Sequence, residues 1–178
     1  LALKAALRAI ELDSMQSDAH VALATVYEHD QRFTEGLASA ERAVRLDSGN
    51  ATAWKETGVL LLSLGRIPEA EVPLRRALTL EPLVPVVSEE LSLWHFSMGR
   101  IDSAAAVIRR VVADNEDDAT VHWYAELTFG AARKFVEARA ECLKSGKPET
   151  ECEQLWGDAR GNRRETTTRA ALDAMSHA

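Results

Sequence analysis

The residues of this chain that could do chemistry are few and scattered. Five histidines, His20, His29, His95, His122 and His177, could act as bases or as zinc ligands. Zinc needs three or four His, Cys or carboxylate ligands at characteristic spacings, and no histidine here has such a constellation around it. The run Asp114-Asn115-Glu116-Asp117-Asp118 begins like a calcium loop. That loop needs glycine at its sixth position and glutamate at its twelfth, where this chain has Ala119 and Ala125. The expectation is a solvated turn in which Asp118 caps the next helix. Cys142 and Cys152 form neither a disulfide framework nor a CxxC pair. Cys142 is expected as a small apolar core residue and Cys152 as partly exposed, and a bond between them stays open. Arg160, Arg163, Arg164 and Arg169 make a local basic cluster, expected as a solvated face or a contact with further chain. There is no nucleophile with a recognisable base, no phosphate loop and no dinucleotide fingerprint. The expectation is therefore a non-enzyme with no metal and no cofactor.

Composition narrows the class further. The 178 residues carry a net charge of −7 and are 46% hydrophobic. The negative balance opposes non-specific nucleic-acid binding, which needs a basic surface, and opposes docking on an acidic membrane. No apolar run approaches the roughly 20 residues that span a bilayer. A reducing compartment such as the cytoplasm fits the cysteine usage, and a periplasmic or secreted location stays open. The first residue is not Met, so the chain reads as a section of a longer protein.

The elements that position these residues follow a period of 34. Ala2, Gly36, Ala70, Ala104 and Ala138 are spaced by it, as are Ala6, Ala40, Leu74, Ile108 and Cys142, and Ala9, Ala43, Ala77, Val111 and Ser145. Phe33, Ile67, Ile101 and Phe135 form a further series, preceded by Arg32, Arg66, Arg100 and Lys134. Small residues recur where two helices approach to 8–10 Å. Each unit predicts two amphipathic helices of about 14 residues joined by a short turn, with neighbours stacked into one core. Thr34 and Asp102 are expected to cap second helices, Pro68 suits a first helical turn, and Gly65 and Gly99 suit first-helix ends. Pro82 stops a helix, and Pro73 predicts a kink inside one.

These residues resemble the tetratricopeptide repeat, whose pattern is W-x2-L-G-x2-Y, then A-x3-F, then P. The unit 51–84 matches best, with Trp54, Thr57, Gly58, Leu61, Ala70, Leu74, Ala77 and Pro82. Units 17–50, 85–118 and 119–146 follow it, residues 1–16 read as a half repeat, and 147–178 as a divergent capping hairpin with a turn at Gly161-Asn162-Arg163. His20 and His122 stand where Trp54 does, and His95 where Tyr27 does, so they are expected to pack and not to ligate. Trp54 is expected in the core. The resemblance implies an all-α, right-handed superhelical stack of antiparallel hairpins, an α–α solenoid.

It also implies a scaffold that binds a peptide or partner segment along the first helices of the repeats. Counting along those helices gives a groove of Val21, Thr25, Glu28, Lys55, Val59, Leu62, Glu89, Leu93, Phe96, Trp123, Tyr124 and Leu127. Family members that hold a peptide carboxylate use Lys and Asn at such places; only Lys55 fits, and Glu89 and Glu90 would repel the carboxylate. The alternative is a regulatory or targeting module of a larger enzyme or transcription regulator. An RNA-binding helical repeat is disfavoured by the charge. The apolar side of the first helix, Leu3, Leu7 and Ile10, predicts self-association through the N-terminal edge.

Overall fold

The spacing of small residues becomes the spacing of helix contacts. The structure, a computed structural model, describes residues 2–82 and 84–157. The helices are α1 (Ala2–Leu12), α2 (Ser17–His29), α3 (Phe33–Leu46), α4 (Ala51–Ser63), α5 (Glu71–Leu80), α6 (Pro85–Ser97), α7 (Ile101–Asp114), α8 (Ala119–Ala131), α9 (Phe135–Lys144) and α10 (Glu149–Trp156). No strand occurs among the described residues. The chain divides into two compact units, Leu1–Met98 and Gly99–Ala178. In the first, α1 packs on α2, α2 pairs with α3, α4 with α5, and α6 packs on α4 and α5. In the second, α7 packs on α8, α8 pairs with α9, and α9 meets α10.

Ala40, Ala43, Ala70, Ala77, Ala104 and Ala138 have no accessible surface at all. Leu74, Ile108 and Cys142, which alternate with them, are equally enclosed. The space is tight. A methyl on Gly58 would lie 2.5 Å from Leu74 Cδ2, and one on Gly36 2.9 Å from Leu60 Cδ2. Of α1's apolar face, Ala6 is buried against the neighbouring helix while Leu7 remains exposed.

The first helices of three repeats end in one repeating device. Gln31, Gly65 and Arg133 sit at left-handed φ of 58°, 71° and 57°. The amide of each donates to the carbonyl three residues back: Gln31 to Glu28, Gly65 to Leu62 and Arg133 to Gly130. The next amide reaches five back: Arg32 to Tyr27, Arg66 to Leu61 and Lys134 to Phe129. This is the Schellman closure, which satisfies carbonyls that a helix end leaves open. Gly99 shares the left-handed φ at the same repeat position.

The closure corrects several sequence expectations. Arg32, Arg66, Arg100 and Lys134 occupy the N-cap positions of the following helical segments, with no side-chain cap bond. Thr34 and Asp102 therefore lie inside the first turn and are not caps; Asp102 instead meets Lys134 Nζ at 3.1 Å. Pro68 does sit in a first turn, that of a 3-10 segment, Ile67–Ala70, and α5 begins only after it. Pro73, expected inside a helix where it would kink it, falls instead in the first turn of α5, where its missing N–H leaves no intrahelical bond to break. Trp54 is half-buried, not enclosed: it lines an open pocket of about 280 Å³ with Val44, Leu61, Arg66 and Pro73. Asp118 caps α8 as expected, accepting from the amides of Thr120 at 2.8 Å and Val121 at 3.3 Å. The Gly161–Arg163 turn and the arginines from 160 onward lie outside the described residues.

No atom lies within 4 Å of a methyl added at Gly65, so the cost of Gly65→Ala isolates the left-handed backbone. We expect about 1–2 kcal/mol, read by denaturant unfolding. At Gln31, where the penalty is already present, Gln31→Gly should stabilise the chain.

Candidate functional site

Repeat spacing places the candidate groove residues at matching turns of α2, α4, α6 and α8. Val21, Thr25 and Glu28 on α2 are half-buried, as are Lys55, Val59 and Leu62 on α4 and Leu93 and Phe96 on α6. Glu89 is nearly enclosed, at 7% exposed. In the second unit Trp123 and Tyr124 are half-buried and meet edge to face, with ring centres 5.0 Å apart. Leu127 is 6% exposed and belongs to the core with Phe129, Cys152 and Trp156, and Trp123 packs against that core. Leu127 is therefore a packing residue and offers little surface to a ligand.

The first unit brings acidic side chains together from three helices. Lys55 Nζ lies 2.9 Å from Glu56 Oε1. Glu56 Oε2 is buried and meets no N–H or alcohol O–H donor. The Glu28 carboxyl is close enough to hydrogen-bond Glu56, which two carboxyls can do only by sharing a proton. Burial raises the Glu28 pKa above the ordinary glutamate range, and the Glu56 charge raises it further. Glu90 on α6 is pushed up to about 7, by burial first; Glu28, Glu89 and Glu56 add to the shift and Lys55 opposes it. Glu56 and Glu90 were absent from the groove as counted from sequence. The signal was present: Ala22, Glu56, Glu90 and Tyr124 share one repeat position, of which only Tyr124 was counted.

The histidines have structural partners. His20 Nε2 meets the Ser14 carbonyl at 3.1 Å, Trp54 Nε1 donates to the Ser48 carbonyl at 3.0 Å, and His122 Nε2 meets the Glu116 carbonyl at 2.7 Å. Each ring thus fastens the inter-repeat turn six residues before it. His122 Nδ1 also meets Glu141 Oε2 at 2.6 Å, so both of its ring nitrogens are engaged by acceptors. Among the described residues no three His, Cys, Asp or Glu side chains are grouped to hold a metal ion.

A second cluster holds α10 in place. Glu126 on α8 is fully enclosed. It accepts from Lys147 Nζ at 2.9 and 2.8 Å and from Trp156 Nε1 at 2.7 Å. The Trp156 ring fills the space that a side chain at Gly130 would need. Cys142 on α9 and Cys152 on α10 are joined by a disulfide, and both are fully enclosed. Cys152 was expected to be partly exposed; docking of α10 buries it. Neither this bond nor the Glu126 pairing was marked in sequence by a cysteine framework or a charge pattern.

Comparisons with known proteins agree with this architecture. The tetratricopeptide repeat family model matches residues 1–51 and 31–85. No curated protein matches the chain. Three solved structures are similar. YrrB, described as a TPR protein with an unusual peptide-binding site, is 18% identical with a TM-score of 0.68, covering 97% of this chain and 91% of that one. The pilF protein of Pseudomonas aeruginosa is 22% identical with a TM-score of 0.69, covering 97% and 72%. A thermophilic TPR protein of Thermus thermophilus, TTC0263, is 14% identical with a TM-score of 0.73, covering 99% and 89%. At such identities the likeness is one of fold: an all-α helical repeat of the solenoid class.

Two measurements check these clusters. The folded pKa of Glu90 exceeds the unfolded one. Its stabilising contribution is thus full below the ordinary glutamate pKa and is lost as pH rises through about 7. Glu90→Gln should flatten the melting temperature between pH 5 and pH 8 and raise it at pH 8 relative to the parent. Separately, Cys142→Ala with Cys152→Ala should cost about 2–3 kcal/mol, the chain-entropy value for so short a loop. Hydrogen exchange should then speed up in α10 before it does in α8.

Proposed function

We propose that this chain is a protein-interaction module of the tetratricopeptide repeat type, whose family model matches residues 1–51 and 31–85, and that its first-helix face in the unit Leu1–Met98 takes an extended segment of a partner. One observation carries the reading: α4 and α6 set half-buried Val59, Leu62, Leu93 and Phe96 beside Glu28 and Glu90, whose pKa values burial raises. Apolar side chains left half-covered beside polar groups that fix orientation make the mixture found in binding sites. A role in catalysis has less support, because both His122 nitrogens are engaged and Cys142 and Cys152 are bonded to each other. The net charge of −7 favours a protein partner over nucleic acid. No helix among the described residues is long and apolar enough to cross a membrane. The buried disulfide favours an oxidising compartment, the periplasmic or secreted alternative, over the cytoplasm.

The test is a selection of random short peptides displayed on phage against the whole chain, with binding mapped by NMR. The enriched peptides should shift amides of Val59, Leu62 and Leu93. Leu62→Ala with Leu93→Ala should weaken them roughly tenfold, as loss of apolar anchors does, with the helical signal intact. Shifts confined to α3, α5 or α7 would refute the placement.

A further inference from the structure

At one repeat position the first helices carry a ring in three units, Tyr27, His95 and Phe129, and a leucine, Leu61, in the unit 51–84. Tyr27 shows what a ring does there. Arg32, five residues on, pairs with Glu35 at 3.0 Å and holds its guanidinium carbon 4.3 Å from the centre of the Tyr27 ring. A guanidinium over an aromatic face is attracted by the ring's quadrupole. The unit 51–84 repeats this apparatus without the ring. Arg66 stands 34 residues after Arg32 and is held in the same way, by Glu69, through bonds of 2.8 and 2.6 Å. Leu61 is shorter than a phenol, and beside it opens the pocket of about 280 Å³. The lining runs from nearly enclosed Leu61, Thr57 and Pro73 to half-buried Val44 and Trp54, and out to exposed Arg66. The Trp54 ring is fixed at the side of the space by its 3.0 Å bond to the Ser48 carbonyl. An enclosed apolar cavity of about 150 Å³ accepts benzene, so this pocket has room for one ring.

We propose that this pocket receives a phenylalanine or tyrosine side chain of a partner protein, which takes the place that Tyr27 fills in the preceding unit and stacks against Arg66. Val44, Leu61 and Pro73 supply apolar contact to the ring. Arg66, already ordered by Glu69, adds its cation with little further loss of side-chain freedom. Small-molecule sites bury most of their ligand's surface. This pocket is open on its outer side, where a docked side chain would be followed by the rest of its protein. Trp54, Thr57 and Leu61 recur at helical spacing on one face of α4, whereas Val59 and Leu62 lie on another. The docking site is thus separate from the first-helix face proposed above, and it stands or falls without it.

The test compares the whole chain with its Leu61→Tyr variant, which fills the pocket from within. Random short peptides displayed on phage are selected on the parent and counter-selected on the variant. The survivors should share a phenylalanine or tyrosine, and should shift the Trp54 indole N–H and the Leu61 methyl groups in NMR spectra. Replacing that ring with cyclohexylalanine keeps the apolar bulk and removes the π face. It should weaken binding about two- to fivefold, as loss of a cation–π contact at an exposed site does. Arg66→Gln, at an exposed position, should cause the same loss even if Leu61→Tyr fails to fold. Peptides that enter the pocket without a ring, or bind equally well with cyclohexylalanine or on Arg66→Gln, would overturn the proposal. So would p-cresol, the free tyrosine side chain, saturating the Trp54 shift while no selected peptide reaches it, which would mark a site for a small aromatic molecule. If neither a peptide nor p-cresol moves the Trp54 signal, the pocket is a packing defect and the proposal fails.

Discussion

Helices can pack only as closely as the side chains between them allow, and in this chain that distance is set by positions with almost no side chain. Ala40, Ala43, Ala70, Ala77, Ala104 and Ala138 are wholly enclosed, and Gly36 and Gly58 leave no room for a methyl. Everything else is arranged around those contacts. Larger residues such as Leu74 and Ile108 fill the space between contact points, and Schellman turns close three of the first helices before the chain reverses. Burying an alanine contributes little by itself. Its value is steric, because it lets the larger neighbours reach one another.

The two units treat buried carboxylates in opposite ways. In the second, Glu126 and Glu141 are matched by Lys147, Trp156 and His122 at hydrogen-bonding distance. These matches close α10 over α8 and fix His122. In the first, Glu28, Glu56 and Glu90 are matched only in part, and burial with mutual repulsion lifts Glu28 and Glu90 toward the protonated form. A matched buried charge stiffens a fold, whereas a partly matched one shifts toward its neutral form.

Steric features were the most legible in the sequence. The series through Gly36, Ala70 and Ala138, the left-handed Gly65 and the cap at Asp118 could be read directly, because each residue type has one strong physical reason to be there. Thr34 and Asp102 misled because a capping side chain was assumed where a Schellman turn already serves the backbone. Trp54 misled because repeat aromatics suggest full burial, while its ring edge here points at a carbonyl. Glu56 escaped notice because its neighbours in the repeat register, Ala22 and Tyr124, differ from it in chemistry. The disulfide was left open because two cysteines ten apart carry no framework signal, and only the docking of α10 brings them together.

The bond from His20, Trp54 and His122 to a carbonyl six residues earlier has a consequence for how such a position tolerates change. The three rings differ in size, shape and hydropathy, yet each presents a nitrogen to the same backbone oxygen. In these three repeats the position supplies a ring nitrogen to the turn, and Ser88 fills it in the remaining one. Drift between an indole and an imidazole keeps the inter-repeat turn tied, while a phenyl ring of nearly equal volume releases it.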